Sequence, residues 1–160
     1  MKSIGAVMVM VMFYAFPASA QDADPAVVES CFVGATAGET TPSCIGQAAN
    51  ECQMRGYTTT LGITQCIQAE TQEWDVLLNR EYKATRADFA NRDNALSANS
   101  LDLTDQLLKA QRAWIAFRDA ECALAYARWQ DGSIRSVVHA NCMMVMTASR
   151  AIELRDMKGN

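Results

Sequence analysis

The chain has 160 residues, half of them hydrophobic and a fifth charged, with a formal net charge of −4, six cysteines and a single histidine. That length suits one domain with a single core and scarcely two. The acidic balance, with no cluster of basic residues, excludes a surface that tracks nucleic-acid phosphates, and one histidine excludes His-pair metal sites.

The first twenty residues are set aside as a secretory signal peptide: Lys2 precedes an apolar stretch from Ile4 to Phe16, and Ala18-Ser19-Ala20 is a small-residue cleavage site. The stretch is broken by Pro17 before it reaches the about 20 apolar residues a spanning helix needs, so no membrane anchor is expected after cleavage. Cys31, the first cysteine, follows Glu29-Ser30 and lacks the small and aliphatic residues that precede a lipidated cysteine. Removing the leader takes Lys2 with it and moves the net charge from −4 to −5. All six cysteines remain, and an even count in an exported chain favours three disulfides.

Beyond the leader the periodicity is helical throughout, so the expected fold class is all-α. Asp24-Pro25 supplies an acceptor cap and a first-turn proline for a short helix that Gly34 can stop. Thr41-Pro42 repeats the device for a second helix to about Arg55, with Gly56 as its stop and Cys44, Ala48 and Cys52 stacked at four-residue spacing. A longer helix over about Thr60–Phe89 places Ile67, Trp74, Leu78, Tyr82 and Phe89 on one side, and the polar stretch Asn91–Ser100 is expected as a loop. The next helix, about Leu103–Trp129, carries two adjacent stripes: Leu103, Leu107, Ala110, Trp114, Phe117 and Leu124, and beside them Leu108, Gln111, Ile115, Arg118, Cys122, Ala125 and Trp129. So wide an apolar face implies more than one neighbour, with Trp114 and Phe117 in the core. After the turn residues Gln130-Asp131-Gly132-Ser133, a last helix over about Val137–Arg155 presents Val138, Cys142, Val145, Ser149 and Ile152 on one side.

The expectation is a disulfide-braced up-down-up bundle of three long helices with two short N-terminal ones. Residues 21–58 form an N-terminal helical hairpin extension and residues 59–157 the bundle, together one compact domain. Antiparallel neighbours would gather Cys66, Cys122 and Cys142 at one end. Cys31 and Cys44 sit nearly symmetrically about the Thr36–Thr41 connection and are paired on that ground. For the remaining four, Cys66–Cys122 with Cys52–Cys142 is preferred, and the sequential Cys52–Cys66 with Cys122–Cys142 stays open.

Chemistry-bearing residues are few. His139 is expected at the surface or packed on its edge. Paired cysteines are poor nucleophiles and ligands, and no Cys-x-x-Cys spacing occurs. Glu70, Glu73, Asp75, Glu81, Asp119, Glu121 and Glu153 are expected on polar helix sides, solvated or paired with Arg80, Arg112, Arg118 and Arg150. Arg118 and Gln111 fall on a buried stripe, and a buried guanidinium demands a partner, for which Asp75, Asp119 and Glu153 are candidates. Met143, Met144 and Met146 are expected to fill core. No catalytic residue, cofactor or metal site is assigned. The loops Thr36–Thr41, Asn91–Ser100 and Gln130–Arg135 are the places to look for a partner site, with no contact residue named.

The segment Ala110-Gln-Arg-Ala-Trp-Ile-Ala-Phe-Arg-Asp-Ala-Glu-Cys122 has the character of a signature. With Cys66, Leu78-Asn79-Arg-Glu-Tyr82, the Gly132-Ser133 turn, Cys142 and the closing Thr147-Ala-Ser-Arg150-Ala-Ile-Glu153-Leu154, it resembles the secreted LprI-type lysozyme-inhibitor family over roughly residues 52–155. The resemblance marks Leu78, Asn79, Tyr82, Gln111, Arg112, Trp114, Phe117, Arg118, Asp119 and Arg150 as signature positions with a structural role. It implies a periplasmic protein that binds and occludes a lysozyme without being an enzyme, and an acidic surface would steer toward a basic lysozyme. The segment with Cys31 and Cys44 looks like an addition to a four-cysteine pattern. The alternative is a non-inhibitory, stress-related envelope protein that binds another protein or peptidoglycan.

Overall fold

The structure, a computed structural model, describes residues 22–95 and 102–158. The expected leader, residues 1–20, lies outside the described residues, as do residues 96–100 of the expected loop. Five helices follow one another: α1 (Pro25–Gly34), α2 (Gln47–Met54), α3 (Thr60–Ala95), α4 (Leu103–Ala127) and α5 (Arg135–Asp156). There is no strand among the described residues, and none of these helices is long and apolar enough to cross a membrane.

Local signals explain most of the helix ends. The Asp24 carboxylate accepts from the Ala26 N–H at 2.8 Å, one of the orphan donors at the start of α1, with Pro25 in the first turn. Gly46 and Gly56 bracket α2 at φ of 95° and 108°, left-handed conformations that suit a residue without Cβ. The start of α4 holds two carboxylates: Asp102 accepts from Asp105 N–H, and Asp93 of α3 accepts from the N–H groups of Leu103 and Thr104 and from the Thr104 hydroxyl. These satisfy the free donors of the first turn and complement its positive pole.

Two boundaries differ from expectation. The Thr41-Pro42 pair does not open a helix; residues 43–46 form a turn, and α2 starts only at Gln47, because its first-turn donors are met from elsewhere in the fold. Residues 91–95, expected in a loop, continue α3, where Asp93 binds the next helix.

Helices α3 and α5 are the central pair. Contacts between them give their direction: the Thr85 hydroxyl donates to Leu154 O at 2.7 Å, while Gly46 lies against Met144 and beside Glu70, so α3 and α5 run parallel. Helix α4 runs antiparallel to α5, since Gln111 meets Arg150, Arg118 meets Thr147 and Cys122 is bonded to Cys142. The bundle is therefore up-down-up. Its core joins Ile67, Trp74, Leu77 and Leu78 of α3 to Ala140, Met144, Ala148, Ala151, Ile152 and Leu154 of α5, with Val28 and Phe32 of α1 and Ala48, Ala49 and Cys52 of α2 laid across one end. The α5 face is rotated from the expected one: of its five positions Ile152 is buried, while Val138, Cys142, Val145 and Ser149 are half-buried, and the small buried residues Ala140, Ala148 and Ala151 let α3 approach closely.

The disulfides are Cys31–Cys44, Cys52–Cys66 and Cys122–Cys142. The preferred Cys66–Cys122 and Cys52–Cys142 pairs are thus overturned in favour of the sequential set. Cys66 is near the start of α3, where it crosses α2 and meets Cys52, while the α4–α5 antiparallel pair brings Cys122 to Cys142 on its own.

Candidate functional site

The site builds from the face shared by α3 and α4. Leu78, Asn79 and Tyr82 are within one turn of each other on α3, and Gln111, Arg112, Trp114 and Arg118 recur along α4. Together with Asp75, Leu108 and Ile115 they line a cleft of about 270 Å³. Seven of the positions that the sequence resemblance marks thus come together although α3 and α4 are separated in sequence.

Beneath the cleft the charges are arranged around one indole. The Arg118 guanidinium carbon is 5.0 Å from the Trp114 ring centroid and that of Arg150 is 5.9 Å away, both within cation–π range. Arg118 donates from Nε and Nη2 to Asp119 at 3.0 and 2.9 Å, and from Nη1 to the Thr147 hydroxyl at 3.5 Å. Arg150, buried, donates from Nε to Gln111 Oε1 at 2.9 Å and from Nη1 to Glu153 at 3.0 Å. Asn79 donates to the carbonyl and the carboxylate of Asp75 at 2.8 and 2.9 Å, bracing the α3 wall. Each group is oriented by another, so the assembly is rigid and fixes the register of α4 on α5. Arg112 is exposed at the cleft.

Phe117 departs from the expected core: it is 59% exposed, as is Leu124 at 56%. Helix α4 buries only Leu107, Gln111 and Cys122 fully. Its packed side is the polar stripe of Gln111 and Arg118, and the more apolar stripe with Ala110, Phe117 and Leu124 faces outward. Trp114, between the two, is half-buried.

Two carboxylates expected at the surface are buried. Glu70, 1% exposed, accepts from the N–H groups of Gly46 and Ala49 at 2.7 Å each and from the Trp74 indole N–H at 2.9 Å. It therefore caps α2 from a neighbouring helix. Glu81 is held by Arg80 and Lys158. Burial pushes the Glu81 carboxyl up, but hydrogen bonds from Lys158 and Arg80 outweigh it and hold the group below its ordinary value. The sequence carried a signal for both: Glu70, Trp74, Glu81 and Thr85 continue the buried α3 stripe that starts at Cys66 and Ile67.

His139 is half-buried with its ring edge-on to Tyr126, centroids 6.1 Å apart, and Arg135 lies over the other ring at 5.1 Å. Met144 is buried, with Met143 and Met146 half-buried beside it. Among the described residues no group of three or more His, Cys, Asp or Glu side chains could hold a metal ion.

The family model described as "Lysozyme inhibitor LprI" matches residues 51–154, from α2 to the end of the α5 core. The chain belongs to this family. An uncharacterized protein of Rhizobium meliloti (strain 1021) is 28% identical over 121 residues, which covers 74% of this chain and 86% of that protein. No solved structure matches. The match begins at Glu51, so α1, Cys31 and Cys44 stand outside it, whereas the four cysteines of the other two bridges and the whole cleft stand inside.

Proposed function

We propose that the protein is exported to the periplasm, where it binds a basic lysozyme and blocks its substrate cleft by occupancy, without chemistry of its own. The family match over residues 51–154 carries this reading. The all-helical body closed by three disulfides supports it, because a stiff surface loses little freedom on docking.

The contact surface in this reading is the α4–α5 corner, residues 129–135, which combines exposure with rigidity. Trp129 and Ile134 are 51% and 44% exposed. The turn between them is held by Gly132 N–H donating to Trp129 O at 3.0 Å and by Arg135 Nη1 donating to Gln130 O at 3.0 Å. The Cys122–Cys142 bridge ties the two helices that lead into the corner. Trp and Arg dominate binding energy where they enter a partner's pocket. The cleft residues Gln111, Trp114 and Arg118, with Arg150 beneath them, then set the angle of α4 on α5 and so the aim of the corner.

The test mixes purified, oxidised protein with lysozymes of several types and follows cell-wall lysis at low and moderate salt. Dose-dependent inhibition that weakens with salt is expected, and Trp129→Ala should raise the inhibitory concentration by tenfold or more, on the order of the 2 kcal/mol of an interface hot spot. Absence of binding to every lysozyme removes the inhibitor reading, and lysis by the protein alone makes it an enzyme.

A further inference from the structure

The outward face of α4 has no neighbour among the described residues. Ala110, Ala113, Phe117, Ala120, Leu124 and Ala127 are all exposed and recur in alternating steps of three and four, the spacing of a coiled-coil seam. The seam lies apart from the packed positions Leu107, Gln111, Trp114, Arg118 and Cys122, so the bundle itself does not account for it.

We infer that α4 pairs with the α4 of a second copy, antiparallel, about a two-fold axis passing between Arg118 and Asp119. The order of side-chain sizes carries the inference. In that register Phe117 comes opposite the partner's Ala120, Leu124 opposite the partner's Ala113, and Ala110 opposite the partner's Ala127. Each large side chain meets a small one, and the symmetry repeats every such fit twice, as an isologous contact requires. A parallel pairing in register stacks Phe117 on Phe117 and Leu124 on Leu124, with gaps at the alanine layers between them, which close packing disfavours.

Backbone approach and area agree. Ala116 and Ala123, both exposed, flank the seam on one side and let the backbones approach. The 25 residues of α4 extend about 37 Å. Pairing along that length buries on the order of 1,000 Å² in total, the lower bound for a specific interface. The result is a weak, concentration-dependent dimer that leaves the α4–α5 corners at opposite ends.

Sedimentation of the oxidised protein from micromolar to millimolar concentration tests this, with Phe117→Asp as the control, since so exposed a position tolerates the change without unfolding. The expected result is a rise toward twice the monomer mass in the parent and none in the variant, with identical circular dichroism. Ala113→Cys and Leu124→Cys proteins, made separately and mixed under mild oxidation, should cross-link with each other and neither with itself. A parent that stays monomeric throughout, or self-cross-linking of either cysteine variant without the other, overturns the proposal. So does a monomeric parent whose binding to lysozyme is abolished by Phe117→Asp, which assigns the face to that partner. Inhibition and self-association are read separately, so either can fail alone.

Discussion

The N-terminal segment and α4 rest on the same α3–α5 pair, and they are fastened to it in opposite ways. Phe32 of α1 sits edge-on to Trp74 at 6.4 Å, with the guanidinium groups of Arg80 and Arg155 at 5.2 and 5.1 Å from its ring. Arg80 ion-pairs with Glu29, Arg155 donates to Phe32 O, and Gly38 N–H donates to Asp156. Two disulfides and the Glu70 cap complete the attachment. Helix α4, by contrast, is held by a polar stripe, one disulfide and little buried apolar surface. The segment outside the family match is thus the tightly built end, and the segment Ala110–Cys122 inside the match lies on the lightly attached helix, where rigidity has to come from hydrogen bonds and not from core volume.

Substitutions that open the core at the N-terminal end should therefore have the largest effect. Trp74→Ala removes the largest fully buried side chain and should cost about 4 kcal/mol in denaturant unfolding. Glu70→Ala leaves three buried donors without an acceptor and should cost about 3 kcal/mol, with Glu70→Gln recovering part of it. Replacing both members of a bridge by alanine should cost about 3 kcal/mol for either Cys52–Cys66 or Cys122–Cys142, but the two should differ in kind. Loss of the second should raise amide exchange in α4 while α3 and α5 stay protected, and uniform exchange across all three helices would contradict the contrast between the two ends.

Acid should act on both ends through carboxylates held below their ordinary values. Asp156 is lowered by its hydrogen bond from Arg155, and burial only partly opposes this. At Glu81 and Asp93 burial acts upward and is outweighed by the hydrogen bonds they accept. A depressed folded-state value means the unfolded chain binds protons first. The stabilisation is thus complete above the ordinary carboxylate values near about pH 4 and lost as pH falls through the depressed ones. Glu81→Gln should flatten this acid limb of a stability–pH profile. The smallest effect is expected at Phe117→Ala, within about 0.5 kcal/mol because the ring is in solvent, whereas half-buried Trp114→Ala should cost about 2 kcal/mol.

Much of this was legible in the sequence. The Asp24-Pro25 cap, the α3 stripe through Trp74 and Leu78, and the Gln111–Arg118 stripe all follow from spacing, since local hydrogen bonding and period fix them. The outward turn of Phe117 was not, because two adjacent apolar stripes on α4 compete and only the tertiary partner decides which is covered. The burial of Glu70 is signalled by its place on the α3 stripe, but its role is not: its backbone donors come from the α2 turn, more than twenty residues away in sequence. The α5 face departs from the one its periodicity suggests because close approach to α3 selects Ala148 and Ala151 over Val138 and Val145.

The three bridges join cysteines in strict succession, closing loops of 13, 14 and 20 residues. A chain threading end-first into an oxidising space would present each thiol's mate as the next to arrive, before any wrong suitor. Maturation can then proceed as a zipper drawn from the amino terminus, with little need for an isomerase to undo mistakes.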